Sequence, residues 1–280
     1  MCFLTFVCCQ KATDSGSDIN LQGITSLKAS TENILISGAE AALWSKGDRI
    51  GIFASEGAVN IPWVMTKAGD GATEATFYGE KVMGNTVRAY YPFVEGLNAS
   101  IDFLPCDLES RQVFNPEYGA VQQFLCYNGR IFASLKDGAL EFAYPFGMLQ
   151  VEIQLEGDLI IKQMSLSSEE ALAGRLMVDV SGKLSGSGSS TDSVSLVIPE
   201  EGIPARENGE FTAFRFIIPP KTYDLLVLRV VTADGDEMNV RLKNISIPRV
   251  ENSTFAVASV AVGTSGIPEL NPENGYIEVL

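Results

Sequence analysis

The stretch LEFAYPFGMLQVEIQL, residues 140–155, decides how the rest of the chain is read. Leu140, Phe142 and Tyr144 alternate with Glu141 and Ala143, so an extended strand here sets one face against a core and leaves the other able to carry charge. Pro145 has no N–H to give to a ladder and Gly147 has no side chain to pack, so strand pairing is interrupted. Beyond the break, Leu149, Val151, Ile153 and Leu155 alternate with Gln150, Glu152, Gln154 and Glu156, the pattern of a half-buried strand. A strand, a break and a second strand in the middle of 280 residues read as a hinge between two β domains, because a chain this long exceeds what one hydrophobic core ordinarily supports. The expected division is a leader remnant and flexible arm over 1–29, a first domain over 30–147, and a second domain with a tail over 148–280.

Outward from this hinge the chain is a series of short strand-like runs separated by turns, with almost no sustained 3.6-residue period. Before it, strands are expected at 34–37, 49–54, 62–66, 75–78, 86–91, 100–103, 124–127 and 130–134. Asp137-Gly138 has the two-residue hairpin chemistry that delivers the chain into 140–144, and Asn115-Pro116-Glu117 has the cap and first-turn residues of one short helix. After it, strands are expected at 160–166, 176–180, 193–198, 211–218, 225–232, 238–245 and 254–262. The glycine- and serine-rich segment 181–195 reads as a mobile loop. It is not a phosphate-binding loop, since Lys183 precedes most of its glycines and no helix follows. Asp234-Gly235-Asp236 hints at calcium but lacks the spacing of a calcium loop, and reads as the turn of a long hairpin.

With 46% hydrophobic and 20% charged residues, the chain can bury two cores. Its formal net charge of −15 opposes binding to nucleic acid or to an anionic membrane surface. Histidine is absent, which removes the commonest general base, the usual nucleophilic triads and most zinc sites. No cofactor motif is present. Of the five cysteines, Cys2, Cys8 and Cys9 crowd the start, while Cys106 and Cys126 lack metal-ligand spacing and are read as a disulfide or as two separate thiols. The adjacent carboxylates Glu169-Glu170 and Glu200-Glu201 leave a glycosidase-type enzyme as a minor reading, with a solvated surface as the plainer one. Residues 1–9 are an apolar run ending in Cys8-Cys9, followed by a polar tether to about Asn20. This resembles the end of a bacterial lipoprotein signal, with Cys9 as the lipid acceptor, although no basic region precedes it; a buried N-terminal strand is the alternative.

The segment WSKGDRIGIF, residues 44–53, carries a sharper resemblance. Trp44, Gly47, Asp48, Ile50, Gly51 and Phe53 resemble the signature of the fimbrillin family, the lipoprotein-derived pilins and related surface proteins of anaerobic Gram-negative bacteria. Tyr90, Tyr91 and Pro92, in RAYYPF (88–93), are similar to the family's second landmark. The hinge is similar to a third, with Tyr144 where the family commonly has His. The resemblance spans about residues 30–263. It implies an all-β chain of two β-sandwich domains with transthyretin-like architecture, exported, lipidated and carried to the outer membrane surface. It also implies assembly by β-strand donation, in which proteolytic loss of an N-terminal strand opens a groove that a neighbour's strand fills. The cut in some members follows arginine, and here no Arg precedes Arg49; Lys28 and Lys46 are the basic residues between the tether and the signature.

The function expected from the resemblance is a fimbrial subunit or fimbria-associated adhesin whose partners are other fimbrial subunits, the outer membrane through a lipid, and a host or bacterial surface ligand. A glycan-binding surface lipoprotein that does not polymerise is the alternative, with Trp63, Tyr118, Tyr127 and Tyr223 as scattered aromatic candidates. The tail Tyr276, Ile277, Glu278, Val279 and Leu280 is a short strand with Ile277 and Val279 on one face. It either docks on its own domain or serves as the donor segment.

Overall fold

The computed structural model describes residues 21–30, 44–67, 73–114, 131–154, 159–207, 210–250, 256–261 and 277–279; every regular element among them is a β-strand. The first half supplies β1 (Leu21–Ser30), β2 (Arg49–Glu56), β3 (Ile61–Lys67), β4 (Glu74–Tyr91), β5 (Leu104–Leu108), β6 (Arg111–Val113), β7 (Ile131–Lys136) and β8 (Ala139–Ala143). After Pro145 come β9 (Gly147–Gln154), β10 (Ile160–Ser167), β11 (Ala173–Val178), β12 (Leu184–Thr191), β13 (Ser193–Val197), β14 (Ile203–Pro204) and β15 (Arg206–Glu207). The chain ends with β16 (Glu210–Phe211), β17 (Ala213–Ile218), β18 (Thr222–Thr232), β19 (Glu237–Ser246), β20 (Ala256–Ala261) and β21 (Ile277–Val279). The runs expected at 34–37 and 124–127 and the helix at 115–117 lie outside the described residues.

The first sheet is built around β4. The sequence suggests separate strands at 75–78 and 86–91, but the two are one strand of 18 residues. Its glycines explain the misreading: a Cβ on Gly79 would stand 2.0 Å from the Trp63 indole, and Gly84 sits at φ +119 against Ser55. These residues look like breaks and act as room for neighbours. The first part of β4 pairs with β1 and β3, the last part with β2 and β7, and β8 joins β7 back to β1. The ring of hydrogen bonds therefore closes. Asp137 and Gly138, at φ 49 and 82, make the expected tight turn between β7 and β8.

Three further segments differ from the sequence reading. The arm expected to run flexibly to residue 29 is, from Leu21, the strand β1, antiparallel to β4 and parallel to β8. Its register with β4 shifts twice before residue 26, which erases the period-2 signal. The loop expected at 181–195 contains β12, antiparallel to β11. There serines replace apolar packing with local bonds: Ser187 Oγ donates to the Arg175 carbonyl and Ser190 Oγ to the Ser187 carbonyl. The Asp179 carboxylate accepts the N–H groups of Ser181 and Lys183 at the entry turn. The run expected at 100–103 is a turn, with the strand starting at Leu104.

In the second half, one sheet runs β21-β19-β18-β10-β13-β6 with β14 on β10, and smaller sheets run β12-β11-β5 and β17-β9-β20. Thr232–Asp236 is the hairpin turn, closed by Thr232 N–H to Asp236 O and Asp236 N–H to Thr232 Oγ1. β5 and β6 precede residue 147 yet pair with β11 and β13, which follow it. Gln112 on β6 is fully buried. Its Nε2 donates to the Ile217 carbonyl at 2.8 Å while its Oε1 accepts the Ile217 N–H at 2.9 Å. One side chain thus stands in for a missing strand along β17 and ties two sheets together. Replacing Gln112 by Met keeps the volume and leaves both Ile217 groups unmatched. Urea unfolding should show a loss of about 1–3 kcal/mol, and an unchanged midpoint would show that β17 does not depend on this contact.

Candidate functional site

The residues that carry the family resemblance meet in one place. Ser45–Asp48 is a tight turn in which Asp48 Oδ2 accepts the Ser45 N–H at 2.8 Å and Gly47 takes φ +95. Trp44 is buried and meets Phe77, Tyr91 and Phe142 edge-on at ring distances of 5.0, 5.1 and 5.4 Å. Tyr91 donates to Asp48 Oδ1 at 3.3 Å, and burial followed by the Asp48 charge raises its pKa. Gly51 is needed because a Cβ there would lie 2.1 Å from the Tyr90 ring. The Tyr90 hydroxyl donates to Asn60 Oδ1 and accepts the Val94 N–H. Ile50 and Phe53 are buried on β2, and Pro92 leads into Phe93, whose N–H bonds to the Arg49 carbonyl under the Arg49 guanidinium. Both landmarks therefore form one packing lock between β2 and the end of β4.

A second arrangement, which the sequence reading missed, lies where the halves meet. Arg88 on β4 is 3% exposed. Its guanidinium donates to the carbonyls of Ile101 and Asp102 before β5, of Val178 at the end of β11 and of Asp179 just after it. Burial lowers its pKa, with the nearby charges of Asp179 and Asp102 acting in the opposite direction. Nearby, Arg249 donates to the Gly182 carbonyl, and Gly147 must lack a side chain because a Cβ would stand 2.4 Å from the Pro248 carbonyl. A cavity of about 130 Å³ opens here, with Arg88, Arg249, Ser134, Ser181 and Tyr144 in its walls. The one sequence signal was a charged residue inside the run Val87 to Tyr90, all of which is buried.

The other candidates are scattered. Ile277, Glu278 and Val279 pair in parallel with Val240, Arg241 and Leu242 at the edge of the large sheet; Tyr276, Leu280 and Cys9 lie outside the described residues. Trp63 and Tyr223 are buried, the latter donating to the Pro219 carbonyl, so neither forms an exposed carbohydrate platform; Tyr118 and Tyr127 are outside the described residues. Of the paired acidic residues, the Glu170 carboxylate pairs with Lys221 at the surface, and the Glu200 backbone carbonyl accepts from Lys162. Cys106 is buried on β5, and Cys126 is not described.

The lock makes a direct prediction. Trp44→Ala leaves a cavity among the three rings of Phe77, Tyr91 and Phe142 and should lower stability by about 3–5 kcal/mol in chemical denaturation. A loss below about 1 kcal/mol would mean that the lock is not what holds the first sheet.

Neither a protein-family model nor a curated protein sequence matches the chain. Solved structures do. A candidate cell adhesion protein of Bacteroides uniformis is 17% identical with a TM-score of 0.46, over 77% of this chain and 84% of that one. A candidate cell adhesion protein of Bacteroides ovatus is 15% identical with a TM-score of 0.48, over 81% and 89%. The tip fimbrial protein Mfa3 of Porphyromonas gingivalis, with a C-terminal truncation, is 9% identical with a TM-score of 0.41, over 78% and 80%. These structural neighbours are cell-adhesion and fimbrial proteins, at low sequence identity.

Proposed function

We propose that this chain is a fimbria-associated adhesin or fimbrial subunit of a bacterial outer surface, joined to other fimbrial subunits by β-strand donation and held to the outer membrane by a lipid on Cys9. On this reading it is not an enzyme. Its strands form two β-sandwich domains of transthyretin-like architecture that divide near Pro145, with residues 104–114 reaching across the division.

The observation that carries the reading is the setting of β1. It is bonded along one edge to β4 and along the other to β8, while Leu27 and Ala29 are its only fully buried apolar side chains among those described. Its hold is mainly backbone pairing, which another strand can supply. If β1 leaves, two facing edges open together, and a guest strand with two apolar residues spaced by one fits the slot. Ile277 and Val279 have that spacing. No basic residue lies in 31–43, and Lys46 is exposed in the turn after Trp44. A cut after Lys46 would remove Trp44 with β1, so release of β1 alone calls for a protease that does not need a basic residue.

Deleting residues 276–280 tests the donor role. The monomer's melting temperature should change by less than about 2 °C, as for loss of a few edge contacts, while cross-linked ladders of the processed protein disappear. Surviving ladders, or a monomer destabilised by several degrees, would show that the tail serves its own domain instead. The anchor is tested separately: Cys9→Ser in the precursor should abolish lipid labelling and outer-membrane retention, while Cys8→Ser leaves both intact. Retention of the Cys9→Ser protein would remove the lipid from the proposal.

A further inference from the structure

We infer that the cavity at the junction of the two halves binds the carboxylate of an acidic sugar, a uronic or sialic acid residue. The inference rests on the adhesin reading for its biological setting and on the cavity itself for its chemistry. Two guanidiniums, those of Arg88 and Arg249, line it, and among the described residues neither has a carboxylate within ion-pair distance. That is unexpected in a chain with 35 acidic and 20 basic residues. Asp102 and Asp179 give Arg88 their backbone carbonyls, and the Asp179 carboxylate is spent on Ser181 and Lys183. Arg88 has used its terminal nitrogens on carbonyls, and its Nε is buried with no partner. Arg249 is half-buried, and among the described residues its guanidinium donates to the Gly182 carbonyl alone, so further N–H groups of its planar fork have no described partner. A buried positive centre beside a guanidinium held by a single carbonyl is an arrangement that can take a carboxylate in two-pronged fashion.

The rest of the wall selects a sugar over an acidic peptide. Arg88, Ser134 and Glu141 lie directly opposite one another across β4, β7 and β8, so a hydroxyl and a carboxylate acceptor stand in line with the cation on one face. Ser181 adds a second hydroxyl, and Tyr144 and Phe132 contribute ring surface. Alternating hydroxyls, an acceptor and aromatic carbon suit a ring that carries several hydroxyls, whereas a Glu or Asp side chain would leave the hydroxyls and the acceptor unmatched. About 130 Å³ has room for the carboxylate and part of the ring that bears it.

The test is calorimetry and saturation-transfer NMR on the full chain with sodium glucuronate, sodium N-acetylneuraminate, glucose and N-acetylglutamate. At least one of the two acidic sugars should bind with a Kd of about millimolar, as expected for a monosaccharide, and glucose should not. Arg249→Gln should weaken binding about tenfold or more. Ser134→Tyr, at an exposed strand position, should block the cavity while melting and circular dichroism stay unchanged. The inference is overturned if neither acidic sugar binds, if glucose binds as well, if both variants bind normally, or if N-acetylglutamate binds as tightly, which would assign the site to acidic peptides. Protein-coated beads separate this from the adhesin reading. Beads that adhere to cells and ignore free acidic sugar sink the cavity alone, whereas sugar binding by the purified chain without bead adhesion sinks the adhesin role alone.

Discussion

β4 runs for 18 residues, and no single neighbour is long enough to pair with its whole length. The strand meets this by exchanging partners part-way: β1 and β3 give way to β2 and β7 as the chain passes Gly84. The exchange forces the sheet to turn on itself, and β8 closes it by lying between β7 and β1. Trp44, Gly51, Tyr90 and Tyr91 then sit where β2 meets the last residues of β4. Their shared position explains why two distant sequence landmarks describe a single feature. They fix which strand follows the exchange.

The same strand also sets how the halves are joined. Arg88 projects from the face opposite the first core, and its four carbonyl partners come from the segment before β5 and from the end of β11 and the residue after it. A buried cation held by carbonyls alone is costly to desolvate, and that cost is consistent with the direction of its pKa. Gln112 repeats the device in neutral form on β17. Polar side chains that replace strand edges carry the junction, where apolar area alone would permit sliding.

Strand type was legible in the sequence wherever burial alternates. β9, β18 and β19 fall where period-2 runs predict them, because each has one face in a core and one nearer solvent; β2 and β7 were legible as short apolar runs, since each is buried over consecutive residues. β1 and β12 were not legible, since the first is held by pairing on both edges and the second by serine contacts, and neither leaves an apolar rhythm. The aromatic lock was legible as a motif and not as a contact. Trp63 misled because an indole in a turn-bounded run is compatible with an exposed platform, while its actual place depends on the space left by Gly79 more than ten residues later. Arg88 was missed for a related reason: nothing in 88–93 says that carbonyls from residues 178 and 179 will come to it.

Geometry also constrains the proposed assembly. The slot filled by β1 belongs to the first half of the chain, and the tail strand β21 lies on the outer edge of the large sheet in the second half. Donor and acceptor are then different surfaces of one subunit, so the contact between copies is heterologous. A heterologous contact that does not close into a ring propagates as a filament, and its direction is fixed by the chain itself. Among the described residues, β21 holds its present place through three paired residues, Ile277, Glu278 and Val279, so leaving it costs few hydrogen bonds. The β1 slot offers pairing on two edges where β19 offers one. In the proposed assembly, exchange from the edge to the slot therefore raises the number of satisfied backbone groups.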